Sequence, residues 1–248
     1  GAGLSGLAAG IRLAHYDKNV LLCERHHRAG GLNSWYRRRG RTIDVGLHAM
    51  TNYAPREDKR APLNRLLRQL RIRYEDLELI PHEDSWIRFP GTTLHITPEF
   101  EAFEEQIARL FPGQIDGFRR LVRTVRSFDA LSLTPEPLST RDVLARHIDD
   151  PLLTDMILCP LMYYGNAAET DMDFAQFCVM FRSVFLEGLC RPRHGMRHIL
   201  NLITERYAAC GGRLRLGCGV AEMRLAEGRI RDVVLHDGAT VRPQAVPS

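Results

Sequence analysis

Four glycines in the first ten residues set the terms for the rest of the chain. Gly1, Gly3, Gly6 and Gly10 stand in the pattern G-x-G-x-x-G-x-x-x-G and run straight into a helical apolar face of Leu4, Leu7, Ala8, Ile11, Leu13 and Ala14. The spacing provides a tight turn at Gly1, a bare backbone at Gly3 that a pyrophosphate can approach, and close helix–strand packing at Gly6. The first-turn amides, that of Ser5 among them, then face the phosphates with the positive end of the helix dipole. In a dinucleotide-binding fold a buried strand of about five or six residues leads into such a loop. No such run precedes Gly1, so the expectation is a piece of a longer protein that lacks this first strand.

The residues downstream keep the register of that fold. Val20-Leu21-Leu22-Cys23 is continuously apolar, as a buried parallel strand is. It ends at Glu24, eighteen residues beyond Gly6. An acid about 20 residues past the loop accepts hydrogen bonds from the adenosine ribose and repels a 2′-phosphate. NADP is therefore disfavoured.

After Glu24 the chain reads Arg25-His26-His27-Arg28-Ala29-Gly30-Gly31-Leu32-Asn33-Ser34. With the loop and Glu24, this resembles the FAD-dependent oxidoreductases of the amine oxidase and phytoene desaturase type. In those proteins a basic residue and a Gly-Gly pair follow the ribose-binding Glu, and the pair passes close to the FAD phosphates. Glu24, Arg25, Gly30 and Gly31 match; Leu32 stands where many members carry Arg. Arg41-Thr42-Ile43-Asp44-Val45-Gly46-Leu47-His48 resembles a segment that leads toward the flavin ring. Arg191-Pro192-Arg193-His194-Gly195-Met196 resembles the opening of a helix in the FAD domain, expected from Arg197 to about Ala209 and closed by Gly211-Gly212. Gly219-Val220-Ala221-Glu222-Met223 is similar to the place that holds the adenine through backbone groups of Val220. Gln244 to Ser248 resembles a strand returning to the central sheet. These segments make up roughly a third of the chain. The middle reads most like the phytoene desaturase, carotenoid isomerase and retinol saturase branch.

The resemblance implies an α/β fold: a Rossmann-like FAD-binding domain, incomplete at its first strand, with a mainly helical substrate-domain insertion. The expected division is 1–50 and 190–248 for the FAD domain and 51–189 for the insertion. FAD is the implied cofactor, and the implied reaction is hydride transfer between flavin N5 and a long apolar isoprenoid. Desaturation, saturation and cis–trans isomerisation all fit. An amine or protoporphyrinogen oxidase of the same fold is the alternative within the class. A non-enzymatic prenyl carrier, like the Rab escort and dissociation-inhibitor proteins, is the alternative outside it.

Within the middle, Trp86 to Phe89 and Thr92 to Ile96 flank a Pro90-Gly91 turn and predict a hairpin. Helices are expected over 98–110, 113–127, 139–147, 151–164 and 173–186. The last carries Phe174, Phe177, Phe181 and Phe185 on one stripe. Such a stripe is ordinarily core packing; its functional reading is the wall of a tunnel for a polyene, with Phe177 and Phe181 as substrate contacts. His48, Tyr163 and Tyr164 are the remaining substrate candidates, though each reads first as a structural residue with a satisfied polar tip.

No metal site is expected: the six cysteines show no C-x-x-C spacing, and His194 and His198, four apart, lack a third ligand. The thiols point to a reducing compartment, and the protein is placed in the cytoplasm, with any membrane contact peripheral. No run of 18 apolar residues occurs. Of 34 Lys and Arg residues only Lys18 and Lys59 are lysine, a bias of composition that gives no nucleic-acid surface. Arg37-Arg38-Arg39-Gly40-Arg41 is the one dense basic cluster, readable as a solvated turn or as a contact with anionic head groups.

Overall fold

The structure, a computed structural model, describes residues 1–46, 49–51, 53–129, 138–163 and 169–246. Its helices are α1 (Leu4–Ala14), α2 (Pro62–Leu70), α3 (Phe100–Leu110), α4 (Ile115–Ser127), α5 (Thr140–Leu144), α6 (Pro151–Met162), α7 (Phe174–Phe181) and α8 (Met196–Ala209). Its strands are β1 (Leu21–Cys23), β2 (Trp35–Arg38), β3 (Arg41–Asp44), β4 (Leu79–Pro81), β5 (Ser85–Phe89), β6 (Thr92–Ile96), β7 (Cys190–Pro192), β8 (Arg213–Arg215), β9 (Val220–Ala226), β10 (Arg229–Leu235) and β11 (Thr240–Val241). The chain forms two compact units, one of residues 1–48, 58–79 and 191–248, the other of 49–57 and 80–190.

In the first unit, β1 and β8 pair in parallel, with Leu21 opposite Arg213 and Cys23 opposite Arg215. Parallel strands need a crossover, and here the chain returns through α8, which packs against α1. Tyr207 fixes this corner. It is buried, its hydroxyl lies 2.9 Å from the Val20 carbonyl and 3.1 Å from that of Arg213, and its ring fills the space over Gly10, where a Cβ would come within 2.7 Å. The Gly211 and Gly212 amides fold back onto the carbonyls of Ala208 and Tyr207, closing α8 as the glycine pair predicts. β9, β10 and β11 form an antiparallel meander. The sequence suggests a last strand running to Val246. The structure ends β11 at Val241, because Pro243 lacks the amide a ladder requires and Arg242 turns to the Asp232 carboxylate at 3.0 Å.

In the second unit, β5 and β6 form the hairpin read from the sequence, with Trp86 opposite His95. α3 packs on β6 and α6 on β5. Aspartates cap α6 and α7: Asp150 accepts from the amides of Leu152 and Leu153 (2.8 and 3.1 Å), and Asp173 from those of Ala175 and Gln176. The core is aromatic. Phe103, Phe118, Phe174, Phe177 and Phe181 are all fully buried, with centroids 5.7 Å apart for Phe174 and Phe177 and 5.5 Å for Phe177 and Phe181. The helix expected over 173–186 is two pieces, α7 and a π-helical turn from Arg182 to Leu186. The wider turn leaves Phe185 4.8 Å from Phe181 and 4.9 Å from Phe103.

Tyr207→Phe removes a buried donor that serves β1 and β8 together. Chemical denaturation is expected to show a loss of about 1 kcal/mol. An unchanged midpoint would mean that the hydroxyl does not tie the two strands.

Candidate functional site

Gly3 is the N-cap of α1, with φ −73° and ψ 173°, and no side chain caps the helix nor does an acid stand in its first turn. The first amides of α1 are thus left to an outside acceptor. The Gly30-Gly31 turn lies alongside. The Gly30 amide donates to the Ala2 carbonyl at 2.7 Å, Gly3 and Gly30 form a parallel bridge, and a Cβ on Gly31 would stand 3.4 Å from Gly3 Cα. Gly30 and Gly31 have φ of 122° and 56°, a conformation side chains resist.

The glycines divide into two kinds. A Cβ on Gly6 would overlap the Gly1 carbonyl, so Gly6 serves the fold. A Cβ on Gly3 would meet nothing within 4 Å, and its extended backbone suits any residue. The protein's own packing therefore gives no reason for glycine at position 3; a ligand laid against the backbone does. Ser5 and Leu32 are exposed at this surface, Leu32 at 87%.

Glu24 ends β1 and turns back onto the loop. Its Oε2 accepts from the Ala2 amide and its Oε1 from the His26 amide, both at 2.8 Å. Burial pushes the Glu24 carboxyl up, but the two amide donors outweigh it and hold the group below its ordinary value. The Cys218 amide donates to the Glu24 carbonyl at 2.9 Å, carrying the line of β8 forward beside Glu24 and Arg25. A Cβ on Gly219 would come 3.1 Å from Arg25 Cβ. Val220, next in line, opens β9 with its side chain 41% exposed. Gly1, Gly3, Gly6, Glu24, Arg25, Gly30, Gly31 and Val220 thus follow one another along a single edge of this unit, and the bare amides, open Cα and ionised acid fit a pyrophosphate-bearing dinucleotide.

Sequence reasoning passed over several contributors. Ala2 ties the loop both to Glu24 and to Gly30, and only its small size inside the glycine pattern hints at this. Ser34 Oγ is buried with no partner among the described residues, just beyond the turn that Gly31 opens. Arg197 pairs with Asp44 at 2.8 Å, within a polar cavity of about 360 Å³ whose walls include Thr42, Arg191 and Arg193.

The substrate candidates scatter. His48 and Tyr164 lie outside the described residues. Tyr163 is 84% exposed and lines a cavity of about 460 Å³ in the second unit with Trp86, Ile87, Ile96, Pro160, Val184 and Leu189. Phe177 and Phe181 do not line that cavity; both are in the core. His198 Nε2 lies 2.6 Å from the Asp76 carbonyl and His194 Nε2 3.5 Å from Glu78. Among the described residues no group of three His, Cys, Asp or Glu could hold a metal, and no helix is long and apolar enough to cross a membrane. Burial pushes the Cys178 thiol up to about 12 and Cys190 to about 11, so neither is a thiolate at neutral pH.

Gly3→Ala is expected to hold stability within about 0.5 kcal/mol of wild type and to weaken FAD binding about a hundredfold, or about 2.7 kcal/mol. Calorimetry and flavin fluorescence titration separate the two; equal losses in both would assign Gly3 to the fold. Glu24 gives a pH signature. Its folded pKa is lowered, so its contribution is present above its unfolded value and is lost as pH falls through the folded one. Glu24→Gln is expected to flatten the decline of melting temperature between about pH 5 and pH 3, and an unchanged acid limb would remove Glu24 as the anchor of the loop.

Comparison with known proteins follows the same lines. Phytoene desaturase (lycopene-forming) of Pantoea ananas is 26% identical over 276 residues, covering 100% of this chain and 54% of its own length. The chloroplastic prolycopene isomerase of Arabidopsis thaliana is 23% identical, covering 96% of this chain and 44% of its own. The chain thus spans about half the length of these relatives. A crystal structure of an oxidoreductase from Methanosarcina mazei superposes with a TM-score of 0.70 at 17% identity, covering 98% of this chain and 56% of that one, a likeness of fold. The family profile described as flavin containing amine oxidoreductase matches residues 4–246. The chain belongs to the flavin containing amine oxidoreductase family.

Proposed function

We propose that this chain carries the cofactor-binding part of an FAD-dependent oxidoreductase acting on a long apolar isoprenoid, by desaturation, saturation or cis–trans isomerisation of a polyene. The observation that carries the cofactor reading is the open Cα of Gly3 beside the Gly30-Gly31 turn. Gly1, Gly3, Gly6, Gly30 and Gly31 cradle the pyrophosphate, with the Ser5 amide at the uncapped start of α1. Leu32 stands at the rim of this cradle, where it offers a backbone rather than a guanidinium. Glu24 accepts the ribose hydroxyls, Arg25 flanks it, and Val220 holds the adenine through its backbone. When bound, the flavin supplies two-electron oxidation and reduction.

The chain's own residues bind, orient and exclude water. Segments 1–50 and 190–248 are assigned to the cofactor and 51–189 to the substrate. Ile87, Ile96, Pro160, Val184 and Leu189 make a largely apolar cavity wall, suited to a ligand with few polar groups. Tyr163 and Trp86 stand at this wall, 84% and 56% exposed. Phe177 and Phe181 support this wall from the packed core behind it. The substrate class is supported by the relatives, named for phytoene desaturation and prolycopene isomerisation. A substrate of this kind resides in a bilayer, so peripheral attachment to a membrane belongs to the same reading.

The test is cofactor and turnover together. The purified holoprotein is expected to release FAD on denaturation and to convert phytoene or a cis-carotene in liposomes, read by pigment chromatography, with no peroxide formed from amines. A colourless protein that binds a prenylated peptide would overturn the enzyme reading. Amine turnover would overturn the substrate class alone.

A further inference from the structure

The hairpin of β2 and β3 places Arg37, Arg38, Arg39 and Arg41 within five residues, all exposed. Arg39 and Gly40 form its two-residue turn, both left-handed, with φ of 49° and 75°, the geometry that matches the twist of a hairpin. The register sets Arg38 directly opposite Arg41, and like charges facing each other across a hairpin destabilise it. Among the described residues none of these four guanidiniums is paired with a carboxylate. The hairpin therefore carries a repulsion that an external anion would relieve.

The residues behind the tip say which kind of anion. Alternate side chains of a strand share a face, so Tyr36, Ile43 and Val45 lie on the same face as Arg38 and Arg41. Tyr36 and Ile43 are directly opposed and are 43% and 37% exposed; Val45 is 53% exposed. On the other face Thr42 and Asp44 share the wall of the polar cavity with Arg191, Arg193 and Arg197, three guanidiniums to one carboxylate. A basic tip backed by a tyrosine and two aliphatic side chains matches the bilayer interface. There guanidiniums meet lipid phosphates and a tyrosine ring sits at head-group level. A nucleic acid would use the arginines and leave Ile43 and Val45 in water.

We propose that the β2–β3 hairpin is the surface by which this protein docks on an anionic phospholipid membrane. The proposal deepens the reading of a bilayer-held apolar substrate and rests on it for its purpose, while the docking itself is measured without turnover. In vesicle co-sedimentation the chain is expected to bind vesicles containing about a third phosphatidylserine and to leave neutral phosphatidylcholine vesicles unbound, with binding falling steeply as salt rises. Charge near an anionic membrane is worth about fivefold in affinity per arginine. The triple variant Arg38→Gln, Arg39→Gln, Arg41→Gln should therefore bind about a hundredfold more weakly with an unchanged circular dichroism spectrum. The triple lysine variant should keep most of the binding, and Tyr36→Ser with Ile43→Ser should weaken it at unchanged salt dependence. Equal binding to neutral and anionic vesicles, a glutamine variant that binds like wild type, or binding to DNA or RNA without binding to vesicles would overturn the proposal. Vesicle docking without polyene turnover would leave the hairpin standing and remove the substrate reading.

Discussion

One backbone hydrogen bond organises the proposed cofactor edge of this protein: the Gly30 amide on the Ala2 carbonyl, at 2.7 Å. It draws a turn that follows β1 against the residues that lead into α1, so that two glycine runs lie side by side. Ala2 is engaged on both sides, since its own amide is held by Glu24. The loop is therefore gripped by a residue that is expected to serve the ligand as well. Neither bond uses a side chain of the loop itself, so the packing makes no demand for glycine at the loop's most open position, Gly3.

Much of this edge was legible in the sequence because it is local. The spacing of Gly1, Gly3 and Gly6 forces a turn into a helix, and an apolar run ending at Glu24 forces a strand ending in an acid. The Gly211-Gly212 pair stops α8 for the same local reason. What could not be read was long-range: that Ala2 would bond both Glu24 and Gly30, that Ser34 would bury its hydroxyl, or that Tyr207 would cap two strand ends at once. No residue type demands those contacts; the approach of distant segments creates them. The far end of the chain shows the converse: the alternation of Val241, Pro243 and Ala245 suggests a strand to Val246, but Pro243 lacks the amide to extend it.

The aromatic stripe of α7 and the π-helical turn after it illustrate how far a pattern goes. A period of three and four residues places four phenylalanines on one face, and a face that apolar will be covered. What covers it is other rings, from Phe100, Phe103, Phe118 and Phe128, and Arg182, whose Nε donates to the Val125 carbonyl at 2.9 Å where α4 ends. The cavity of the same unit is lined instead by the β5–β6 hairpin, by Val184 and Leu189, and by the end of α6 at Pro160, where the helix lacks one amide donor. Apolar periodicity finds the core; a break in regularity finds the cavity.

The double use of Glu24 sets a limit on the cofactor. A carboxylate offers about four acceptor positions, and the amides of Ala2 and His26 occupy one on each oxygen. About two remain, enough for the two hydroxyls of a ribose. Because the same amides favour the ionised carboxyl, a group proposed to accept a diol would also repel a phosphate in its place. Replacing Ala2 by proline would remove one of these donors, raising the Glu24 pKa and loosening the loop together. The proposed discrimination against a 2′-phosphate and the tie between Glu24 and the phosphate loop thus share the Ala2 amide bond, so a change at that bond alters both.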